Sequence, residues 1–126
     1  LNQKTEELLE KINMSDRREI AAGELAYAEQ RALEVGVTIA GGADVILLDE
    51  PTAGMSHSET DRAVNLIRSV TDDKTLVVVE HDMGVVFDLA DRISVLVYGE
   101  IIATGQPDDI RNNADVQEAY LGKEVA

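Results

Sequence analysis

The chain has 126 residues, with 11 Lys+Arg against 25 Asp+Glu for a net charge of -14; 44% of it is hydrophobic, 3% is aromatic, and there is no cysteine. That length corresponds to one domain or a piece of one, and so acidic a chain has too little positive charge to build a phosphate-neutralising groove, so nucleic acid is not an expected partner. Without cysteine, disulfides, thiolate zinc sites and cysteine nucleophiles are excluded, and the aliphatic runs fall far short of the ~20 apolar residues of a membrane-spanning helix.

No basic segment followed by an apolar one opens the chain, which makes a cytosolic address the expectation. Leu8, Leu9 and Ile12 predict a short amphipathic helix, and starting at Leu1 straight into that pattern reads as a piece cut from something longer. A polar break at Asn13 to Asp16 precedes more helical sequence. From Glu29 to about Ala40, Leu33, Val37 and Ala40 recur at helical spacing, and Gly41-Gly42 stops that helix. Val45 to Leu48 is a continuous apolar run, the pattern of a strand covered on both faces, ended by Asp49-Glu50-Pro51.

Ser56-His57-Ser58-Glu59 has the form of a capping box and opens a helix with Ala63, Val64, Ile67 and Val70 on its apolar face. Thr75 to Val79 predicts a second strand, Met83 to Ala90 a short helix, and Ile93 to Tyr98 a third strand, which a Gly99-Glu100 turn folds into a hairpin with Ile101-Ile102-Ala103. Pro107 suits the first position of a helix whose first turn holds Asp108 and Asp109, and a last turn or two runs from Val116 to Leu121. Strands alternating with helices at this spacing predict an α/β fold built on parallel strands.

Two strand ends carry the candidate chemistry. Asp49 and Glu50 finish the first strand, and Glu80-His81-Asp82 finishes the second, so a parallel arrangement puts carboxylates and an imidazole at the carboxyl edge where α/β sheets bind ligands. Adjacent residues of a strand point oppositely, so one carboxylate can face a hydrated Mg²⁺ while the other reaches an attacking water. Capping of a strand-to-turn junction is the plainer use of the same residues, and a single histidine at a strand end often serves only as a hydrogen-bonder. Direct transition-metal binding by His57 and His81 is disfavoured, as no H-E-x-x-H spacing exists, and no G-x-S-x-G elbow supports a serine hydrolase. Gly36 and Gly41 have the glycine spacing of a phosphate loop, but Gly42 and Ala43 stand where its Lys and Ser/Thr belong.

Together these segments resemble the ATP-binding subunits of ABC transporters. Val45 through Ser56 looks like the Walker B strand and D-loop, Val79-Glu80-His81-Asp82-Met83 looks like the switch histidine, and Leu25-Ala26-Tyr27-Ala28-Glu29-Gln30-Arg31 stands in the place of the L-S-x-G-[EQ]-Q signature. Asp91-Arg92-Ile93, Tyr98 to Pro107 and Ala119-Tyr120-Leu121-Gly122 are similar to importers of branched-chain amino acids and of urea or short amides. The resemblance implies a three-layer P-loop NTPase-like fold of which this chain is the C-terminal half, with residues 1–40 part of the helical subdomain and 41–126 the catalytic-core half. It implies ATP and Mg²⁺ as ligands, with Asp49 holding Mg²⁺ through water, Glu50 as general base and His81 on the γ-phosphate. Leu25, Ala26, Tyr27, Ala28, Glu29 and Gln30 would reach the nucleotide of a second ATP-binding subunit in a head-to-tail dimer, and Ala53, Gly54, Met55 and Ser56 would touch that subunit. Membrane permease subunits are the other implied partners, holding the protein to the inner face of the plasma membrane, and the half with the phosphate loop is missing, so this chain alone is expected to be inactive.

Two residues depart from that pattern: Ala26 stands where the signature has Ser and Ala28 where it has Gly. The lost hydroxyl would remove a charge-assisted hydrogen bond worth ~1.5–3 kcal/mol, which reads either as a harmless variant or as a weakened composite site whose partner carries the working one. A stand-alone, non-catalytic half-domain acting in assembly or regulation is the alternative function, and a chromosome-maintenance or repair ATPase is a third reading that the absence of heptads and the acidic charge disfavour.

Overall fold

Local signals decide where each element begins and ends in the computed structural model, which describes residues 2–121. Gly122 of the tail resemblance lies outside the described residues. Helix α1 (Gln3–Lys11) starts at Asn2, whose side chain accepts from the Thr5 N–H, and it stops at Asn13, which takes the left-handed φ of 59° that asparagine tolerates. Single 3-10 turns at Ser15–Arg17 and Ala22–Glu24 lead to α2 (Tyr27–Ala40), followed by β1 (Val45–Asp49), α3 (His57–Val70) and β2 (Thr75–Val79). The expected capping box forms at α3: Ser56 Oγ accepts from the Glu59 N–H at 3.2 Å and Glu59 Oε1 accepts from the Ser56 N–H at 3.0 Å.

The start of α2 is built differently. Glu29 accepts from the Ala26 N–H at 3.1 Å, but Ala26 has no side-chain oxygen to return the bond, so only half of a capping box is present. Arg17 braces Glu29 from outside at 2.8 Å. That ion pair, together with the Ala26 N–H, holds the Glu29 carboxyl below the usual glutamate range, and the Ser56 N–H and hydroxyl do the same for Glu59. Ala26→Ser supplies the missing acceptor and should raise stability by ~0.5–2 kcal/mol, read as a higher urea midpoint.

The chain divides into two compact units, one through Glu80 and one from His81. In the first, β1 and β2 form a two-stranded parallel sheet with Val45 opposite Thr75 and Asp49 opposite Val79, and α1, α2 and α3 pack on one another. Ile12, Met14, Leu25, Val35, Ile46, Val64, Leu66, Ile67 and Val70 are among its buried apolar side chains. Gly36 lets α2 close on the end of α1, since a Cβ there would meet Ile12 Cδ1 at 2.9 Å. The Gly36 to Gly41 spacing therefore serves a helix interior and a helix end. Contrary to the expectation of a strand covered on both faces, β1 alternates: Ile46 is fully buried while Val45 and Leu47 are exposed, as are Val77 and Val79 of β2. Each strand sends alternate side chains to opposite faces, and within this unit only one of those faces is sheltered.

The second unit holds α4 (Met83–Leu89), β3 (Ile93–Val97), β4 (Glu100–Gly105), α5 (Pro107–Arg111), the short α6 (Ala114–Val116) and a π-helical turn at Gln117–Leu121. The third strand does not extend the parallel pair; it pairs antiparallel with β4 through a turn in which Tyr98 and Gly99 both have positive φ, the geometry of a two-residue hairpin. Ile93, Val95, Ile110 and Val116 form its core, with Phe87 packed against them and the Arg111 guanidinium 4.5 Å above the Phe87 ring. Pro107 stands at the start of α5 as expected, and the Tyr120 hydroxyl donates to the Leu96 carbonyl. No helix among the described residues is long and apolar enough to cross a membrane.

Candidate functional site

The carboxyl end of β1 is where local sequence and tertiary contacts converge. Asp49 is the last ladder residue, and the Glu50 N–H adds one more rung by donating to the Val79 carbonyl at 2.7 Å. Glu50 then turns the chain with φ 47°, a left-handed backbone for a residue with a side chain, which costs of order 1–3 kcal/mol and persists only where surrounding bonds dictate it. Those bonds are present: the Glu50 carbonyl accepts from the Ala53 N–H at 3.1 Å and from Arg31 Nη2 at 3.1 Å. Both carboxylates are exposed at this edge.

The turn after β1 is clamped from β2 as well. Thr52, only 6% exposed, donates its N–H at 3.1 Å and its hydroxyl at 2.7 Å to Glu80 Oε1. Sequence reading noted Glu80 only as a neighbour of His81; the signal available was that the residue after β2 must lie beside the chain leaving β1 when the two strands are parallel. Glu80→Ala leaves two buried Thr52 donors without their acceptor and should cost about 1–3 kcal/mol, measured as a drop in the urea midpoint, whereas Glu80→Gln keeps an acceptor and loses less.

Two of the candidate segments meet on this edge. Tyr27, from Leu25-Ala26-Tyr27-Ala28-Glu29-Gln30, donates its hydroxyl to the Ala53 carbonyl at 2.8 Å and lays its ring beside Gly54, where a Cβ would sit 3.6 Å from Tyr27 Cε1. Leu25 is buried, and Gln30 reaches back to the Ala22 and Leu25 carbonyls at 3.2 Å each. Gly54 has φ 77°, and Met55 donates to the Thr52 carbonyl before Ser56 caps α3. His81 opens the second unit and is exposed; the next residue, Asp82, caps α4 by accepting from the Val85 N–H at 3.3 Å. His57 is the first residue of α3 and faces Asp61 at 3.6 Å.

The family model for "Branched-chain amino acid ATP-binding cassette transporter" matches residues 100–126. The high-affinity branched-chain amino acid transport ATP-binding protein LivG of Salmonella typhimurium is 38% identical over 117 residues, covering 91% of this chain and 46% of LivG, and BraF of Pseudomonas aeruginosa gives the same identity and coverage. The chain is homologous to the C-terminal half of ABC ATP-binding proteins. The crystal structure of the ADP conformation of MJ1267, an ATP-binding cassette of an ABC transporter, superposes with a TM-score of 0.82 at 25% identity, covering 96% of this chain and 50% of that one. The chain therefore has the P-loop NTPase-type fold of these neighbours, and it spans about half the length of the relatives it matches.

The contacts described above join residues 25–30 to residues 53–56. Among the described residues no group of three or more His, Cys, Asp or Glu side chains is gathered to hold a metal ion. Asp49, an exposed carboxylate at a strand end, is a donor of the kind that Mg²⁺ takes beside water and phosphate oxygens.

Proposed function

We propose that this chain is the C-terminal half of the ATP-hydrolysing subunit of an ABC importer for branched-chain amino acids. The observation that carries the reading is the Asp49-Glu50 pair at the end of β1, with Glu50 fixed in a left-handed turn by bonds to Val79, Ala53 and Arg31. Main-chain bonds that fix this turn set the direction in which the Cα–Cβ bond of Glu50 leaves the strand end, which suits a base that must meet one water in line.

In this reading Asp49 holds Mg²⁺ through water, and the ion, when bound, neutralises charge on the transferring phosphoryl group. Glu50 orients the attacking water and accepts its proton at a carboxylate oxygen, and His81 donates a hydrogen bond toward the γ-phosphate. Phosphoryl transfer needs little from the protein beyond positioning and charge stabilisation, so these three side chains supply what this half contributes. Residues Leu25 to Gln30 address the nucleotide of a second, head-to-tail ATP-binding subunit, and Ala53 to Ser56 touch that subunit. Residues 1–40 belong to the helical subdomain and 41–126 to the catalytic core; permease subunits carry the pair on the inner face of the plasma membrane.

Measuring Mg²⁺-dependent ATP hydrolysis by the complete subunit tests the proposal, with turnover expected and its absence in the purified, folded dimer overturning it. The isolated chain should bind Mg-ATP poorly, because it has no glycine-rich loop with its lysine to cradle the phosphates. Tight binding in a calorimetric titration of the isolated chain contradicts that expectation.

A further inference from the structure

The four-residue turn that carries Glu50 is held by one face of α2. Tyr27 and Arg31 are four positions apart, so their side chains lie one above the other on the same side of the helix. Their acceptors, the carbonyls of Ala53 and Glu50, are the two ends of the turn: Tyr27 Oη donates to the first at 2.8 Å and Arg31 Nη2 to the second at 3.1 Å. Glu34, one turn further along, accepts from Arg31 Nη1 at 3.0 Å and aims the guanidinium fork. Within the turn the Ala53 N–H donates to the Glu50 carbonyl, closing the loop between the two tethered atoms.

We infer that Tyr27 and Arg31 are positioning residues that tie the signature-position segment to the Glu50 turn, so that the first two turns of α2 set the backbone geometry of the hydrolytic carboxylate. The inference rests on the proposed hydrolytic role of Glu50 for its consequence, but the tether itself is independent of it. A segment that addresses a nucleotide is thereby mechanically joined to the residue that orients water, and displacement of α2 by as little as a hydrogen bond's reach releases the Tyr27 and Arg31 bonds and leaves only those of Val79 and Ala53 to hold Glu50 at φ 47°. Neither side chain acts on a reacting atom; both act through main-chain carbonyls.

The experiment uses the complete subunit containing this sequence, with Tyr27→Phe, which keeps the ring beside Gly54 and removes only the hydroxyl, and Arg31→Gln, which removes the fork. Tyr98→Phe, at a fully exposed hairpin position, is the control. Amide hydrogen exchange of the peptide spanning 51–56 is read alongside kcat and KM for ATP. Each variant should speed exchange of the Ala53 and Met55 amides and lower kcat by about three- to tenfold, the factor that one net hydrogen bond represents, with the exchange of α3 unchanged in both and KM for ATP unchanged in Arg31→Gln. Tyr98→Phe should move neither quantity. Unchanged exchange at Ala53 and Met55 in both variants overturns the tether, as does a matching rise in α3 exchange, which would mean general loosening. Faster exchange with unchanged kcat overturns the positioning role, and faster exchange in a subunit whose wild type has no turnover leaves the tether standing and removes the ATPase reading instead.

Discussion

Replacing Glu50 by glutamine in the complete subunit should lower ATP turnover by about 10²–10⁴-fold, the range over which a positioned general base contributes, while KM for ATP changes little. Glutamine has nearly the shape of glutamate, and the bonds that fix this position to Val79, Ala53 and Arg31 all use main-chain atoms of residue 50. The substitution therefore leaves those main-chain bonds in place and replaces the basic oxygen with an amide. A lowered kcat with unchanged KM is the signature of an interaction made in the transition state and not in the ground state. Steady-state kinetics of the two proteins decide the matter: equal kcat values mean that some other group accepts the proton, and a shifted urea midpoint would show that the side chain has a structural duty as well.

Ile67→Ala should destabilise the first unit by about 2–5 kcal/mol, because it removes buried methyl groups and leaves a cavity that rigid neighbours fill only in part. Ile67 is 1% exposed, and its carbonyl accepts from both the N–H and the hydroxyl of Thr71, so the end of α3 cannot easily shift inward. Domains of this size are stable by only ~5–15 kcal/mol in total, which makes this one change a large fraction of the whole. Leu47→Ala provides the contrast, since Leu47 is 70% exposed and its loss should move the urea midpoint hardly at all. A loss at Leu47 comparable to that at Ile67 would mean that the outer face of β1 is covered in solution.

Much of the architecture was legible because it depends on short-range rules. The Ser56/Glu59 box is a four-residue pattern whose bonds are made within one helical turn, and it forms as read. Pro107 marks α5 because its ring presets φ and its missing N–H is not needed there. The hairpin after Val97 follows from a turn that only residues tolerant of positive φ can make, and Gly99 supplies one of them. The apolar run of β1 is less complete a guide: Val45 to Leu48 is apolar on both faces, yet within this chain Leu47 is exposed. A continuous apolar run states that both faces are apolar, and what lies against each face is a property of elements far away in the chain.

The candidate site divides in the same way. That Asp49 and Glu50 stand together at a strand end is written in adjacent letters, as is the array of segments that resembles an ABC ATPase, so composition, element order and the identity of the acidic pair were determined by the sequence alone. The bonds from Tyr27 to Ala53, from Arg31 to Glu50 and from Thr52 to Glu80 join residues 26, 19 and 28 positions apart. No local pattern encodes them, because a hydroxyl or guanidinium carries no mark of which distant carbonyl it will meet. The left-handed turn at Glu50 belongs to this second class: its strain is unfavourable for the isolated segment, and it exists because a helix on one side and a parallel strand on the other hold donors and acceptors in place around it.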